Sequence, residues 1–224
     1  KAAIASCGSS VRSRKVLATC PTPTHYPCPM STEDLPAAGH QVIAAAEKYG
    51  VKHLFTLSGA HIFPLYDACE KRPHAPALVD TRSEQTAGFA AEAAARLTRT
   101  PGFVAATAGP GVTNLLTPIT SAFFHGAPLV AIGGRSPDFR WGHGALQELD
   151  QPPLFTSVTK SAVTAHDCEQ VGNLTEAAFA TAMSPHQGPT FLDIPMDKLF
   201  TPEPVLTEPL ATITKPQSDL TQLD

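Results

Sequence analysis

From Pro36 onward the apolar positions fall into two rhythms, short unbroken runs and stripes at helical spacing. The runs at 53–57, 77–79, 102–107, 129–132, near 157–163 and 190–194 predict strands, each short and bounded by Gly, Pro or polar residues. Between them, 37–49, 62–71, 84–97, 113–124 and 169–182 predict helices. The first carries Val42, Ile43 and Ala46 on one face and closes at Gly50. The third is nearly all Ala on its buried side, which suits close packing on a sheet. Strands alternating with helices in this way predict an α/β fold: a doubly wound, six-stranded parallel sheet with helices on both faces.

In such sheets ligands bind beyond the carboxyl ends of the strands. Gly59, Glu84, the turn Gly109-Pro110-Gly111 and Gly133-Gly134-Arg135 all fall at predicted strand ends. The stretch Thr107-Ala108-Gly109-Pro110-Gly111-Val112-Thr113-Asn114 joins a strand to a helix. Its two glycines let the main chain turn tightly and approach a flat ligand. Upstream, Asp80-Thr81-Arg82-Ser83-Glu84-Gln85 sets an acid at another strand-to-helix junction. An acid beside a Gly-Pro-Gly turn outlines a small-molecule site.

Composition narrows the setting. The 224 residues carry a formal net charge of −4, with 16% charged and 42% hydrophobic positions. There is no basic stripe, zinc spacing or aromatic ribonucleoprotein motif, so no nucleic-acid partner is expected. No apolar run approaches the roughly 20 residues of a membrane-spanning helix, so no membrane partner is expected either. Cys7, Cys20, Cys28, Cys69 and Cys168 are odd in number and lack short paired spacing, which favours a reducing compartment and a cytoplasmic location.

Residues 1–29 are rich in Ser, Thr, Pro and Cys, contain no acid, and precede Met30 of a Met-Ser-Thr-Glu-Asp-Leu start. They are expected to be a non-native or disordered leader, with organellar import as the alternative. Residues 30–200 form the expected domain. Residues 201–224, with Pro202, Pro204, Pro209 and Pro216, have the composition of a linker to a further domain.

Each candidate has a plainer explanation. Thr81-x-x-Glu84 fits a capping box that opens a helix. A functional role requires the Glu84 carboxyl to be shielded from water and able to exchange a proton with a bound base. The two are compatible, because a capped helix start fixes the direction of the carboxyl. Gly109-Pro110-Gly111 lacks the Gly-Lys-Ser/Thr ending of a P-loop, and no GxGxxG is present. His61, His125 and His143 show no metal spacing, so no metal site is expected within the chain. Gly133-Gly134-Arg135 also suits a loop with a solvated arginine, and Gln147-Glu148 a surface pair.

Taken together, the chain from about Gly39 to Phe200 resembles the N-terminal, pyrimidine-binding domain of thiamine diphosphate-dependent enzymes, in the acetolactate synthase-like branch that includes 2-hydroxyacyl-CoA lyases. The resemblance is carried by Leu57-Ser58-Gly59, Asp80 to Gln85, Thr107 to Asn114, Gly133-Gly134-Arg135, Leu146-Gln147-Glu148 and Gly188-Pro189-Thr190-Phe191-Leu192-Asp193-Ile194-Pro195. It implies that Glu84 hydrogen-bonds N1′ of the cofactor's aminopyrimidine, favouring the 4′-imino form whose nitrogen takes the thiazolium C2 proton. Gly109, Pro110, Gly111 and Asn114 would line that ring, Gln147 would face the reacting carbon, and Gly59 and His61 would edge the cavity.

The implied substrate is a 2-keto acid or a 2-hydroxyacyl-CoA, handled in a homodimer or tetramer. Mg²⁺ and the diphosphate would be held by a domain absent from this chain, so the isolated length is expected to be inactive; the family also leaves room for FAD. Ser83, Ala108 and Leu146 stand where acetolactate synthases usually carry His, Ser and Phe. Those departures leave room for a 2-hydroxyacyl-CoA lyase, an oxalyl-CoA decarboxylase-like enzyme or another carboligase. A non-catalytic dimerisation module, joined through the Ala-rich helix after Glu84, is the alternative of a different class.

Overall fold

The computed structural model describes residues 35–205; the expected leader at 1–29 and residues 206–224 of the expected linker lie outside the described residues. Six strands, β1 (His53–Thr56), β2 (Ala77–Asp80), β3 (Gly102–Ala106), β4 (Leu129–Arg135), β5 (Ala162–Thr164) and β6 (Thr190–Pro195), form one parallel sheet in the order β2-β1-β3-β4-β6-β5. Around it lie α1 (Gly39–Lys48), α2 (Phe63–Lys71), α3 (Glu84–Thr98), α4 (Pro110–Asn114), α5 (Leu116–Phe124), α6 (Pro152–Phe155), α7 (Cys168–Met183) and α8 (Met196–Phe200). The doubly wound six-stranded sheet is as the hydrophobic pattern predicts.

The two-residue period of the central strands divides the core between the two faces. On β3, Phe103 and Ala105 pack with Val42 and Ile43 of α1, Leu65 of α2 and Phe179 of α7. Val104 and Ala106 turn the other way, toward Ala87 and Ala91 of α3, Ile119 of α5 and Phe155 of α6. Phe103, Phe155, Phe179 and Phe191 are fully buried, each contributing roughly 1.5–3 kcal/mol of transfer free energy. Phe155 stacks on Phe191 with ring centroids 4.2 Å apart, tying α6 to the sheet.

After β1 the chain pairs its next strand on one side, and after β3 on the other. The loops leaving β1 and β3 therefore diverge, and a crevice opens between their carboxyl ends, where doubly wound sheets bind ligands. Leu57-Ser58-Gly59 and Thr107-Ala108-Gly109 are those loops.

The helix predicted over 113–124 is two helices, and the first begins earlier, at Pro110. Pro118 has no N–H to offer Asn114, so the ladder breaks at Leu115, whose own N–H bonds Val112 at 3.0 Å. The strand predicted near 157–163 is confined to Ala162–Thr164. Residues ahead of it continue from α6 in a tight turn, with Thr159 Oγ1 donating to Phe155 O at 2.8 Å, and Val158 packs under the helix instead of joining the sheet. Strand β4 runs three residues beyond the predicted 129–132, through Gly133 and Gly134 to a buried Arg135. Gly133-Gly134-Arg135 is thus a paired strand end and not a loop with a solvated arginine. Past α8 the chain lies against the start of the domain, Ala38 N–H donating to Thr201 O at 2.8 Å and Glu203 N–H to Pro36 O at 2.9 Å. Among the described residues no helix is long and apolar enough to cross a membrane.

Candidate functional site

Glu84 is the first residue of α3, with Ser83 in extended backbone at the cap. The capping box expected from Thr81-x-x-Glu84 does not form. Thr81 lies two residues before the cap, and its hydroxyl donates to main-chain carbonyls, at 2.9 Å to Ser83 and 3.1 Å to Thr56. A box needs its acid at the third helical position; at the first, the carboxyl is not bent back onto the cap. It lies at the positive end of the helix dipole, where a negative charge is favoured.

The Glu84 side chain is 7% exposed. Asn114, the last residue of α4, donates from Nδ2 to Glu84 Oε2 at 2.9 Å. The other oxygen, Oε1, faces Gly111: a Cβ added there would stand 3.2 Å from it and 3.0 Å from Thr107 Cγ2. Gly111 thus keeps the space beside one carboxylate oxygen open.

Gly109 caps α4 with φ 63° and ψ −118°, a conformation closed to side chains other than glycine's single hydrogen. Pro110 occupies the first helical position, where its missing N–H costs nothing, and its ring is exposed. Gln147 comes to the same turn from the far loop, with φ 59°; its Cβ would lie 2.9 Å from a Cβ placed on Gly109. Gly59 ends the β1 loop against Thr107, and His61 Nδ1 lies 2.8 Å from Thr107 Oγ1. Burial holds the His61 imidazole below its ordinary pKa, against a main-chain contact with Leu146 that pulls upward. Glu84, Gly111 and Asn114 therefore form one wall, Gly109, Pro110 and Gln147 a second, and Gly59 and His61 meet them through Thr107. His125 lies elsewhere, against Glu92 of α3 at 2.8 Å, and His143 is exposed on its loop.

Sequence reasoning missed what stands behind the turn. Gln151 is fully buried; its Oε1 accepts the Gly109 N–H at 2.8 Å, and its Nε2 donates to Gly134 O at 3.0 Å and Asp193 Oδ1 at 2.5 Å. Asp193 Oδ2 receives Arg135 Nη1 at 2.8 Å and Thr164 Oγ1 at 3.2 Å. Burial pushes the Asp193 carboxyl up to about 6, outweighing the opposite pull of Arg135, Gln151 and Thr164. A run of apolar residues ending in Asp-Ile-Pro was the available signal, because an acid inside a buried strand must find partners.

One wall thus offers a buried carboxylate oxygen, and the other a turn with a glycine on each side of Pro110 and the Gln147 side chain beside it. A cavity of about 520 Å³, lined by Arg96, Arg99, His125 and Pro128, lies at the opposite, amino end of β3 and β4, away from Glu84.

A family model described as "Thiamine pyrophosphate enzyme, N-terminal TPP binding domain" matches residues 37–154, just over half of the chain. The chain is 44% identical over 175 residues to an acetolactate synthase large subunit of Mycobacterium tuberculosis, covering 76% of the chain and 32% of that protein. It is 41% identical over 162 residues to 2-hydroxyacyl-CoA lyase 2 of Danio rerio, covering 72% of the chain and 26% of the relative. A mitochondrial acetolactate synthase of Schizosaccharomyces pombe is 38% identical over 167 residues, with 75% and 24% covered. The chain thus spans about a third or less of the length of these curated relatives.

Proposed function

Since the chain belongs to the thiamine pyrophosphate enzyme family through its N-terminal binding domain, we propose that it supplies the half of a cofactor site that seats and activates the aminopyrimidine ring. The supporting observation is the Glu84 carboxylate, shielded from water, held at Oε2 by Asn114 and with Oε1 facing the gap over Gly111. When bound, thiamine diphosphate supplies an electron sink for a carbanion formed next to a carbonyl.

The protein's own contribution is placement and one proton. Glu84 Oε1 would hold a proton against a ring nitrogen of the bound cofactor, with Asn114 orienting the carboxylate through Oε2. Gly109, Pro110 and Gly111 present main chain and a proline ring to the heterocycle's face. Gln147, against Gly109, would face the substrate carbonyl, and Gly59 and His61, both against Thr107, would edge the cavity.

Diphosphate and Mg²⁺ belong, in this proposal, to a part of the relatives' length that the chain does not match, as would any FAD; no cluster of His, Cys, Asp or Glu suited to a metal occurs among the described residues. The activity we propose for the whole protein is making or breaking a carbon–carbon bond beside a carbonyl, with a 2-keto acid as in acetolactate synthesis. A 2-hydroxyacyl-CoA is the second candidate substrate, supported by the lyase relative. Phe89 and Leu97 of α3 and Phe124 of α5 are exposed apolar side chains suited to a subunit contact, in keeping with a homodimer or tetramer. A cytoplasmic location is proposed, with organellar import as the alternative that the mitochondrial relative supports.

The direct test is hydrogen–deuterium exchange at C2 of bound thiamine diphosphate, followed by NMR in the cofactor-loaded protein. Glu84→Gln should slow it by about 10²–10⁴-fold, the range of a lost general acid–base partner. An exchange rate equal to that of the parent protein removes Glu84 from activation.

A further inference from the structure

The Gly109 N–H is a buried donor, and Gly134 O and Asp193 Oδ1 are acceptors. Gln151 lies among the three, 2.8 Å from the first and 3.0 and 2.5 Å from the others. Only a side chain with an acceptor and two donors on one rigid plane satisfies all of them, and an amide is that group. A carboxylate keeps the bond to Gly109 but meets two acceptors with no proton; an aliphatic side chain leaves all three unmade. The amide is also held in one orientation, because turning it over would set its NH₂ against the Gly109 N–H.

The chain of contacts continues to a fixed end. Arg135 is 6% exposed. It pairs with Asp193 at 2.8 Å, with Asp150 at 3.6 Å and Asp138 at 3.9 Å beside it. Its guanidinium lies 3.7 Å from the centre of the Trp141 ring, a cation–π contact. Its Nε is buried without a hydrogen-bond partner among the described residues. A buried cation tied to a strand acid thus holds the far side of Gln151, and Gln151 holds the one main-chain N–H at the cap of α4. That cap is where φ is positive and where Pro110 begins.

We propose that Gln151, braced by Asp193 and Arg135, is a positioning residue that sets the orientation of the Gly109-Pro110 turn and hence the seat of the pyrimidine ring. Fully buried behind the turn, it would act through Gly109 and not on the cofactor itself. The inference rests on the proposed role of Glu84 but is separable from it.

Three measurements test it. In the chain without cofactor, NMR amide exchange should show Gly109 protected, and Gln151→Leu should cost that protection about tenfold or more, as expected for one lost buried hydrogen bond. In the cofactor-loaded protein, C2 exchange per bound cofactor in Gln151→Glu should fall about tenfold below the parent at pH 8, through misplacement of the reacting groups. As the pH falls it should recover toward the parent measured at the same pH, once a proton is shared between the substituted carboxyl and Asp193. The titratable and charged groups facing that position are Asp193 from β6 and Arg135 from β4; Asp138 and Asp150 lie against the arginine, and His166 pairs with Asp138.

A purely structural Gln151 would lower stability but leave exchange per bound cofactor unchanged at every pH, and that result overturns the proposal. Unchanged protection of Gly109 in Gln151→Leu does the same. Glu84→Gln in parallel separates the two ideas: if it alone slows exchange, the Gln151 proposal fails and the Glu84 role stands; if neither variant slows exchange, both fail.

Discussion

Glu84, at the first turn of α3, and Asp193, inside β6, are both carboxylates withdrawn from water, at 7% and 0% exposed. Their surroundings differ in kind. Asp193 receives hydrogen bonds from Arg135, Gln151 and Thr164, on both of its oxygens. Among the described residues Glu84 receives one, from Asn114, on Oε2. A buried carboxylate satisfied by cation, amide and hydroxyl is spent on holding strands and loops together. One satisfied on a single oxygen keeps a lone pair for something that arrives later. If Glu84 has the proposed role, burial alone does not mark the reactive acid; the count of donors around it does.

The comparison is tested most severely by stability. Asp193→Ala removes the partner of a buried guanidinium and the acceptor of Gln151 together, and should cost about 3–5 kcal/mol in urea denaturation, the usual penalty for leaving a buried charge unpaired. Glu84→Gln should stay within about 1 kcal/mol of the parent, since Asn114 can still donate to the amide oxygen. Equal losses in the two variants would erase the distinction.

A second test uses pH. The Asp193 carboxyl is raised by burial from 3.8 to about 6 in the folded protein. The folded state therefore binds this proton more tightly than the unfolded chain does. The stability it contributes is fully present below about pH 4 and is lost as pH rises through about 6, by up to about 3 kcal/mol. Asp67 has the opposite sign, since hydrogen bonds from Lys71 and His40 hold its carboxyl below the usual value; its contribution is present above about pH 4 and lost as pH falls further. The difference between parent and Asp193→Asn denaturation midpoints across pH 4–7 isolates the first effect. Parallel curves would show that Asp193 binds no extra proton in the fold.

Much of this was legible in the residue pattern, and the limits have physical causes. Strands such as β3 and β6 announce themselves because both faces are buried and nearly every residue is apolar. The Gly-Pro-Gly turn is legible because few backbones other than a tight turn use that triplet. Pro118 was visible too, but its effect on a helix depends on whether the freed carbonyl finds another use, and the break at Leu115 was missed. The wrong capping box is a matter of register: Thr81 has the right spacing to Glu84, yet its hydroxyl finds the carbonyls of Ser83 and of Thr56 on the neighbouring strand first. For the chain Arg135, Asp193 and Gln151 the sequence signals only that Asp193, in an apolar run, needs partners; which ones was not legible, since the contacts join residues 58 and 42 positions apart.

The smallest effect is the most discriminating about Glu84. Gly111 sits in a helix, where replacing glycine by alanine is ordinarily worth about 1 kcal/mol of stability. An alanine Cβ there would stand 3.2 Å from Glu84 Oε1 and 3.0 Å from Thr107 Cγ2, tight enough to push the carboxyl by a few tenths of an ångström. Propensity and crowding oppose each other, so the denaturation midpoint of Gly111→Ala should lie within about 1 kcal/mol of the parent. C2 exchange in the loaded protein should nevertheless fall several-fold, because reactions between positioned groups lose roughly two orders of magnitude for a displacement of about 1 Å. Asp193 and its partners lie behind the Gly109 turn and should not register the change, so the pH dependence of stability should match that of the parent. A Gly111→Ala protein that keeps both its stability and its exchange rate would mean that the gap beside Oε1 is not where the ring nitrogen enters, and the availability of that oxygen would then say nothing about function.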